Sequence, residues 1–160
     1  MNQVYKPLPS IRLLGDLFVL KGNTLVWRID RGGKAKAGTQ AGSPLKDGRL
    51  AVKVLGKQYY VHRIVWALTH GKDPGMFQVD HRDGDHTNNS PENLRLASHG
   101  QNVQNRPARG YWWSSGNRRF YAKITANGKT KYLGCFKTEH EARFAYLAAI
   151  RQYHGEFACA

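Results

Sequence analysis

The chain has 160 residues, 41% of them hydrophobic, and its 25 Lys and Arg against 11 Asp and Glu leave a formal charge of +14. That length holds one ordinary domain or two small ones with modest cores. No apolar run approaches a transmembrane helix and residues 1–10 lack the apolar centre of a signal peptide, so a soluble, cytoplasmic protein without a membrane partner is expected.

Charge is spread along the whole chain, with 15 basic and 8 acidic residues up to Asn105 and 10 and 3 beyond it. Aromatics are interleaved with the basic residues, which points to nucleic acid, because each phosphate contact releases counterions and rewards Lys and Arg. A membrane surface is disfavoured, since no basic amphipathic helix runs without interruption. Cys135 and Cys159 stand far apart with no CxxC pair, so a zinc knuckle is excluded and reduced thiols are expected. Cys135 falls in an apolar strand pattern and is expected to pack as a small hydrophobe.

In chain order, residues 8–20 permit a helix from Ser10 that Gly15 weakens, and residues 24–29 read as a strand. Residues 31–44 are rich in Gly, Lys and Ala. They read as a solvated loop in preference to a phosphate-tracking segment. Residues 49–55 and 57–61 flank Gly56 as a hairpin, and residues 62–70 have helical spacing ended by Gly71. Residues 77–79 have strand character and deliver Asp80 and His81 to a rim where Asp83-Gly84-Asp85 reverses the chain. Ser90 and Pro91 open a short helical turn, residues 94–96 alternate as a return strand, and Ser98 with Gln101 forms a capping box that starts a helix carrying Asn102. Residues 106–109 read as a linker. After it come three strand patterns, at 110–114, 120–125 and 129–136, with a hairpin turn at 126–128. A helix capped by Thr138 and Glu141 then runs to about His154 and stops at Gly155.

The chemistry concentrates between Val79 and Asn105. Phosphodiester hydrolysis needs a hard cation for the charge on phosphate and leaving oxygen, and a base for the attacking water. The Asp80 carboxylate and Asn102 carboxamide are oxygen donors suited to Mg²⁺ or Mn²⁺, and His81 is the base. Neighbours on a strand point to opposite faces, so Asp80 and His81 share a site only where the strand ends or bends. A neutral imidazole also needs its second nitrogen held, and Asn93 is the nearest well-placed amide.

These residues resemble the HNH endonucleases with a ββα-metal fold, and among them the phage homing endonucleases whose final His is replaced by Asn. Asn93 lies twelve positions after His81 and Asn102 nine after Asn93, as in that family. The resemblance implies that Asp80 and Asn102 bind the metal, that His81 is the general base, and that Asn93 holds both the hairpin and the His. It also implies that the segment from Tyr60 to Arg63 packs against the site. His62 or Arg63 there either reaches the scissile phosphate or caps the helix end. His86 and His99 are nearby bystanders.

The second part resembles the AP2 DNA-binding domain through Arg109-Gly110-Tyr111, the run 120–124, the run 132–136, the run 138–142, Ala145-Tyr146 and His154-Gly155. The resemblance implies a three-stranded sheet on DNA with the helix behind it. Alternation puts Phe120, Ala122 and Ile124 toward the helix and Tyr121, Lys123 and Thr125 toward DNA. Arg109, Trp112, Ser114, Arg118, Arg119, Lys129 and Tyr132 are further DNA-binding candidates. Trp112, Ser114 and Thr125 replace arginines of the plant pattern, so no target sequence carries over.

The expected fold is α+β: an HNH core with an N-terminal β-rich extension over residues 1–105, then a small three-stranded sheet plus helix over residues 110–160. The expected function is a Mg²⁺- or Mn²⁺-dependent endonuclease on double-stranded DNA, acting as a monomer or DNA-bound dimer and nicking one strand per monomer. The alternatives are a DNA-binding regulator with an inert HNH remnant and a weakly specific phage nuclease for packaging or host DNA degradation.

Overall fold

The computed structural model describes residues 6–105 and 108–158, which divide into two compact units, residues 1–96 and 97–160. The expected linker residues 106 and 107 lie outside the described residues. The expected boundary follows Asn105, whereas the compact units divide after Leu96. The short helix carrying Asn102 therefore groups with the second unit, where it lies against residues 155–157.

In the first unit Ser10 caps a seven-residue helix, α1 (Ile11–Leu17), its hydroxyl accepting from the Leu13 amide. The helix expected to reach residue 20 stops at Leu17. Phe18–Lys21 forms β1, paired antiparallel with β2 (Thr24–Trp27) around a turn at Gly22. Phe18 and Val19 pack better on a pleated sheet, and the Phe18 ring lies 4.7 Å from Trp27. Residues 28–42 are the expected loop, pinned where Asp30 accepts from the Ala37 amide at 2.6 Å. A second sheet joins β3 (Ser43–Pro44), β4 (Leu50–Val54) and β5 (Lys57–Tyr60). The β4–β5 turn places Leu55 and Gly56 at positive φ, as the twist of a two-residue hairpin requires.

Helix α2 (Val61–His70) follows directly and ends on left-handed Gly71. Its buried Ile64, Val65 and Trp66 join Leu14, Phe18, Leu25, Val52, Val54, Val79 and Leu94 in one core. That core carries β6 (Gln78–His81) and β7 (Leu94–Ala97), which pair as a two-stranded sheet.

The second unit begins with α3 (His99–Gln104), whose Ser98–Gln101 capping box is formed as expected. Strands β8 (Tyr111–Ser114), β9 (Arg119–Ala126) and β10 (Lys129–Phe136) make an antiparallel sheet with β9 central. The capped helix α4 (Glu139–His154) packs on it. Ala122 and Ile124 are buried with Tyr146, Ala149 and Ile150, while Phe120 is only half-buried. Gly110, at φ +73°, sits so close that a Cβ there would lie 2.1 Å from the Tyr146 ring. The expectation for Cys135 fails, because the thiol is exposed. A bulge between Tyr132 and Gly134 shifts the register by one, so Cys135 pairs with outward-facing Tyr121.

Candidate active site

Asp80 and His81 are the last two residues of β6, and residues 82–93 loop back to β7. The chain turns immediately: the Arg82 amide donates to the Asn93 carbonyl at 2.8 Å and the Gly84 amide to the His81 carbonyl at 3.0 Å. Side chains then fasten the loop to itself. Asp83 accepts from the Asp85 amide, Asp85 from the Thr87 amide and hydroxyl, and Asn88 from the Ser90 amide and hydroxyl. Asn93 closes the structure, donating to Asp83 Oδ1 at 2.9 Å and the Asn88 carbonyl at 2.8 Å while accepting from the Asp83 amide. Burial works to raise the Asp83 pKa, but hydrogen bonds from Asn88 and Asn93 outweigh it and hold the carboxyl below its usual range.

Asn93 therefore fixes the loop. The side chain that meets His81 is Asn89, whose Oδ1 lies 3.1 Å from His81 Nε2. The expectation that Asn93 would hold the imidazole is corrected on this point, because its carboxamide is fully engaged by Asp83 and Asn88. Asn89 Nδ2 donates to the Thr87 carbonyl, which turns Oδ1 toward the ring. An oxygen acceptor at Nε2 fixes the proton there and makes Nδ1 the basic nitrogen. Burial, foremost, lowers the His81 pKa against the opposing effect of Asn89, so the ring is neutral at neutral pH.

Two further imidazoles touch His81. Buried His62, from the first turn of α2, meets it edge-on with centroids 5.1 Å apart, and His62 in turn stacks on Tyr60. Burial, then the neighbouring His81, Arg49, Arg63 and His86, push the His62 pKa well below its ordinary value. His62 is thus a neutral wall of the site. Half-buried His86 approaches His81 from the loop at 5.6 Å.

Asp80 is 6% exposed and its Oδ2 accepts from Nε of Arg95, itself 5% exposed, at 2.9 Å. Sequence reasoning missed this ion pair. The signal was a lone Arg between two leucines of the return strand. The contact fixes the plane of the carboxylate, which as a hard oxygen donor suits Mg²⁺ or Mn²⁺. Asn102 belongs to α3 in the second unit. Among the described residues no three His, Cys, Asp or Glu side chains gather as a metal cage. Arg63 is corrected as a phosphate contact: its guanidinium donates to the Phe77 and Gly75 carbonyls at 2.8 and 2.9 Å and pairs with Asp73. It ties α2 to the segment entering β6.

In the second unit the register places Trp112 beside Tyr121, Ser114 beside Arg119, Tyr132 beside Lys123 and Thr130 beside Thr125, all on the sheet face away from α4. Trp112 stacks on Tyr121 at 5.5 Å, with Lys123 Nζ 5.5 Å above it. Trp112 and Tyr132 are 43% and 56% exposed, and Arg118 and Lys129 are exposed at the strand ends. Arg109 differs. It pairs with Glu139 at 3.3 Å, at the start of α4, and Tyr111 also bonds that carboxylate. Its cation is directed to the helix side.

Residues 59–104 match the family model for HNH endonuclease. A protein named "Uncharacterized HNH endonuclease L560" from Acanthamoeba polyphaga mimivirus is 35% identical over 109 residues, 65% of this chain. The match spans 57% of that protein's length. Protein 3.8 of Escherichia phage T7 is 29% identical over 114 residues, 64% of this chain and 93% of its own. No solved structure gives a significant match. The matched segment contains β6, its loop, β7 and α3, and hence Asp80, His81, Asn93 and Asn102. Together the matches support a nuclease enzyme, with an HNH endonuclease domain at residues 59–104.

Proposed function

We propose that the protein is a divalent-metal-dependent DNA endonuclease in which residues 59–104 hydrolyse a phosphodiester bond and the sheet of the second unit holds the duplex. The observation that carries this reading is His81, buried at a strand end, held by Asn89 and neutral, next to the Asp80 carboxylate. His81 Nδ1 takes a proton from the attacking water, and Asn89 keeps the tautomer that leaves Nδ1 basic. Asn93 and Asp83 hold the loop so that the base does not wander. Asp80 and Asn102 would hold Mg²⁺ or Mn²⁺, which when bound supplies charge stabilisation at the phosphate. Arg95 orients the Asp80 carboxylate.

The second unit is read as AP2-like, and its outward face of Trp112, Tyr121, Lys123, Thr125 and Tyr132, flanked by Arg118, Arg119 and Lys129, as the DNA contact. A chain charge of +14 supports a polyanionic partner. The homing type, acting at a preferred site, follows from the pairing of this nuclease motif with a separate binding unit. Incubation of the full chain with supercoiled plasmid in Mg²⁺, Mn²⁺ or EDTA tests the reading. Cleavage that needs the metal supports it, and DNA binding without cleavage in either metal rejects it in favour of a DNA-binding protein.

A further inference from the structure

His86 sits at the middle of a pinned turn: the Thr87 amide and hydroxyl both bond Asp85 Oδ1, at 2.8 and 2.7 Å. The backbone on either side of His86 is thereby fixed. The ring is aimed edge-wise at His81, with 5.6 Å between centroids and 65° between planes. It is half-buried and, among the described residues, its nitrogens have no hydrogen-bond partner. His62, on the other side of His81, is closed off from solvent, so of the two neighbouring imidazoles only His86 opens to an incoming strand.

The geometry of attack sets where phosphate must lie. A base holds its water at about 3 Å, and the water stands about 3–3.5 Å from phosphorus in a near-attack arrangement. Phosphorus is then roughly 6 Å from the base nitrogen, and its non-bridging oxygens lie within reach of a ring 5.6 Å from that base.

We propose that His86 is a further catalytic residue, donating a ring N–H to a non-bridging oxygen of the phosphate that the His81-bound water attacks; this rests on the nuclease reading above. In the step, water oxygen forms the new bond to phosphorus, its proton passes to His81, and the bond to one bridging sugar oxygen breaks. The departing oxygen takes a proton from solvent. His86 stabilises the charge gathering on the non-bridging oxygen and is unchanged at the end.

Single-turnover cleavage of a labelled duplex by the full chain tests this with His86→Ala and His86→Gln. Expected are a 10- to 100-fold slower cleavage step for His86→Ala, DNA affinity unchanged within about threefold, and partial recovery in His86→Gln, which restores an N–H donor. A merely structural role would not alter phosphorothioate discrimination. Here sulfur at one non-bridging position should slow the wild type but leave His86→Ala insensitive. Cleavage by His86→Ala within twofold of wild type, or an unchanged sulfur effect, overturns the proposal. An inert wild-type protein would sink the nuclease reading instead. The contact would then be judged by nuclear magnetic resonance of the His86 ring on adding the same duplex without metal. Shifted resonances support it and unmoved ones overturn it.

Discussion

Arg95→Met should destabilise the first unit far more than an ordinary strand substitution, because it leaves the Asp80 carboxylate buried without its cation. Both partners are about 5% exposed and 2.9 Å apart, so this is an interior pair and not a screened surface contact. Breaking such a pair from one side costs about 3–5 kcal/mol. With a urea slope of about 1.5 kcal/mol per molar, the midpoint should fall by roughly 2–3 M. Asp80→Asn with Arg95→Met removes both charges, and the double variant should recover at least about 2 kcal/mol of the loss. The assay is urea unfolding of the full chain in EDTA. Near-ultraviolet dichroism would follow buried Trp27 and Trp66, both in the first unit. A midpoint shift under 0.5 M for Arg95→Met, or a double variant as weak as the sum of the singles, would refute the idea that the pair is a coupled interior unit. Asp80→Ala would likewise lower stability, so its effect on cleavage must be read beside its folding.

His81→Ala should lower cleavage by about 100-fold or more while gel-shift affinity stays near wild type, and cleavage at the wild-type rate would reject the base assignment. With a single-site circle, open circles should precede linear DNA, because one His81 site aligns one water with one phosphate; direct linearisation by monomeric protein would contradict this. His62 has its folded pKa well below 6.5, so the unfolded chain takes up its proton first as the pH falls. Stability on its account is complete above about pH 6.5 and declines below it by about 1.4 kcal/mol per pH unit. His62→Phe should flatten that slope by one proton, as urea titrations between pH 5 and 8 would show. Gly110→Ala should disrupt the second unit, since its Cβ would collide with Tyr146 at 2.1 Å. A wild-type melting temperature would disprove that packing.

The second unit was legible because its signals are local. Thr138 and Glu141 cap α4, and Asn127-Gly128, both at positive φ, turn β9 into β10. Cys135 was misread because a bulge one residue earlier reverses the face of everything after it. That event is set by pairing with β9 and leaves no mark in the alternation. In the site, Asp80, His81 and Asn93 stood out by type and spacing. The partner of each did not. Which amide meets the imidazole depends on how the loop folds over itself, and Asn89 reaches it because Asn93 is held by Asp83 and Asn88. Arg95 and Arg63 looked like surface cations in a basic chain. Only the tertiary fold shows them bound to a buried carboxylate and to loop carbonyls.

The self-fastened loop between β6 and β7 also sets how this protein tolerates changes of length. Its rungs join residues two apart at 83 and 85, at 85 and 87, and at 88 and 90, before Asn93 locks back onto Asp83. One inserted or deleted residue anywhere within it would break every rung downstream and carry Asn89 away from His81. Residues 31–40, held by a few bonds at Asp30 and Thr39, have no such ladder to break. A tag or hinge spliced there should be absorbed, whereas the same insertion beside Thr87 should dismantle the site.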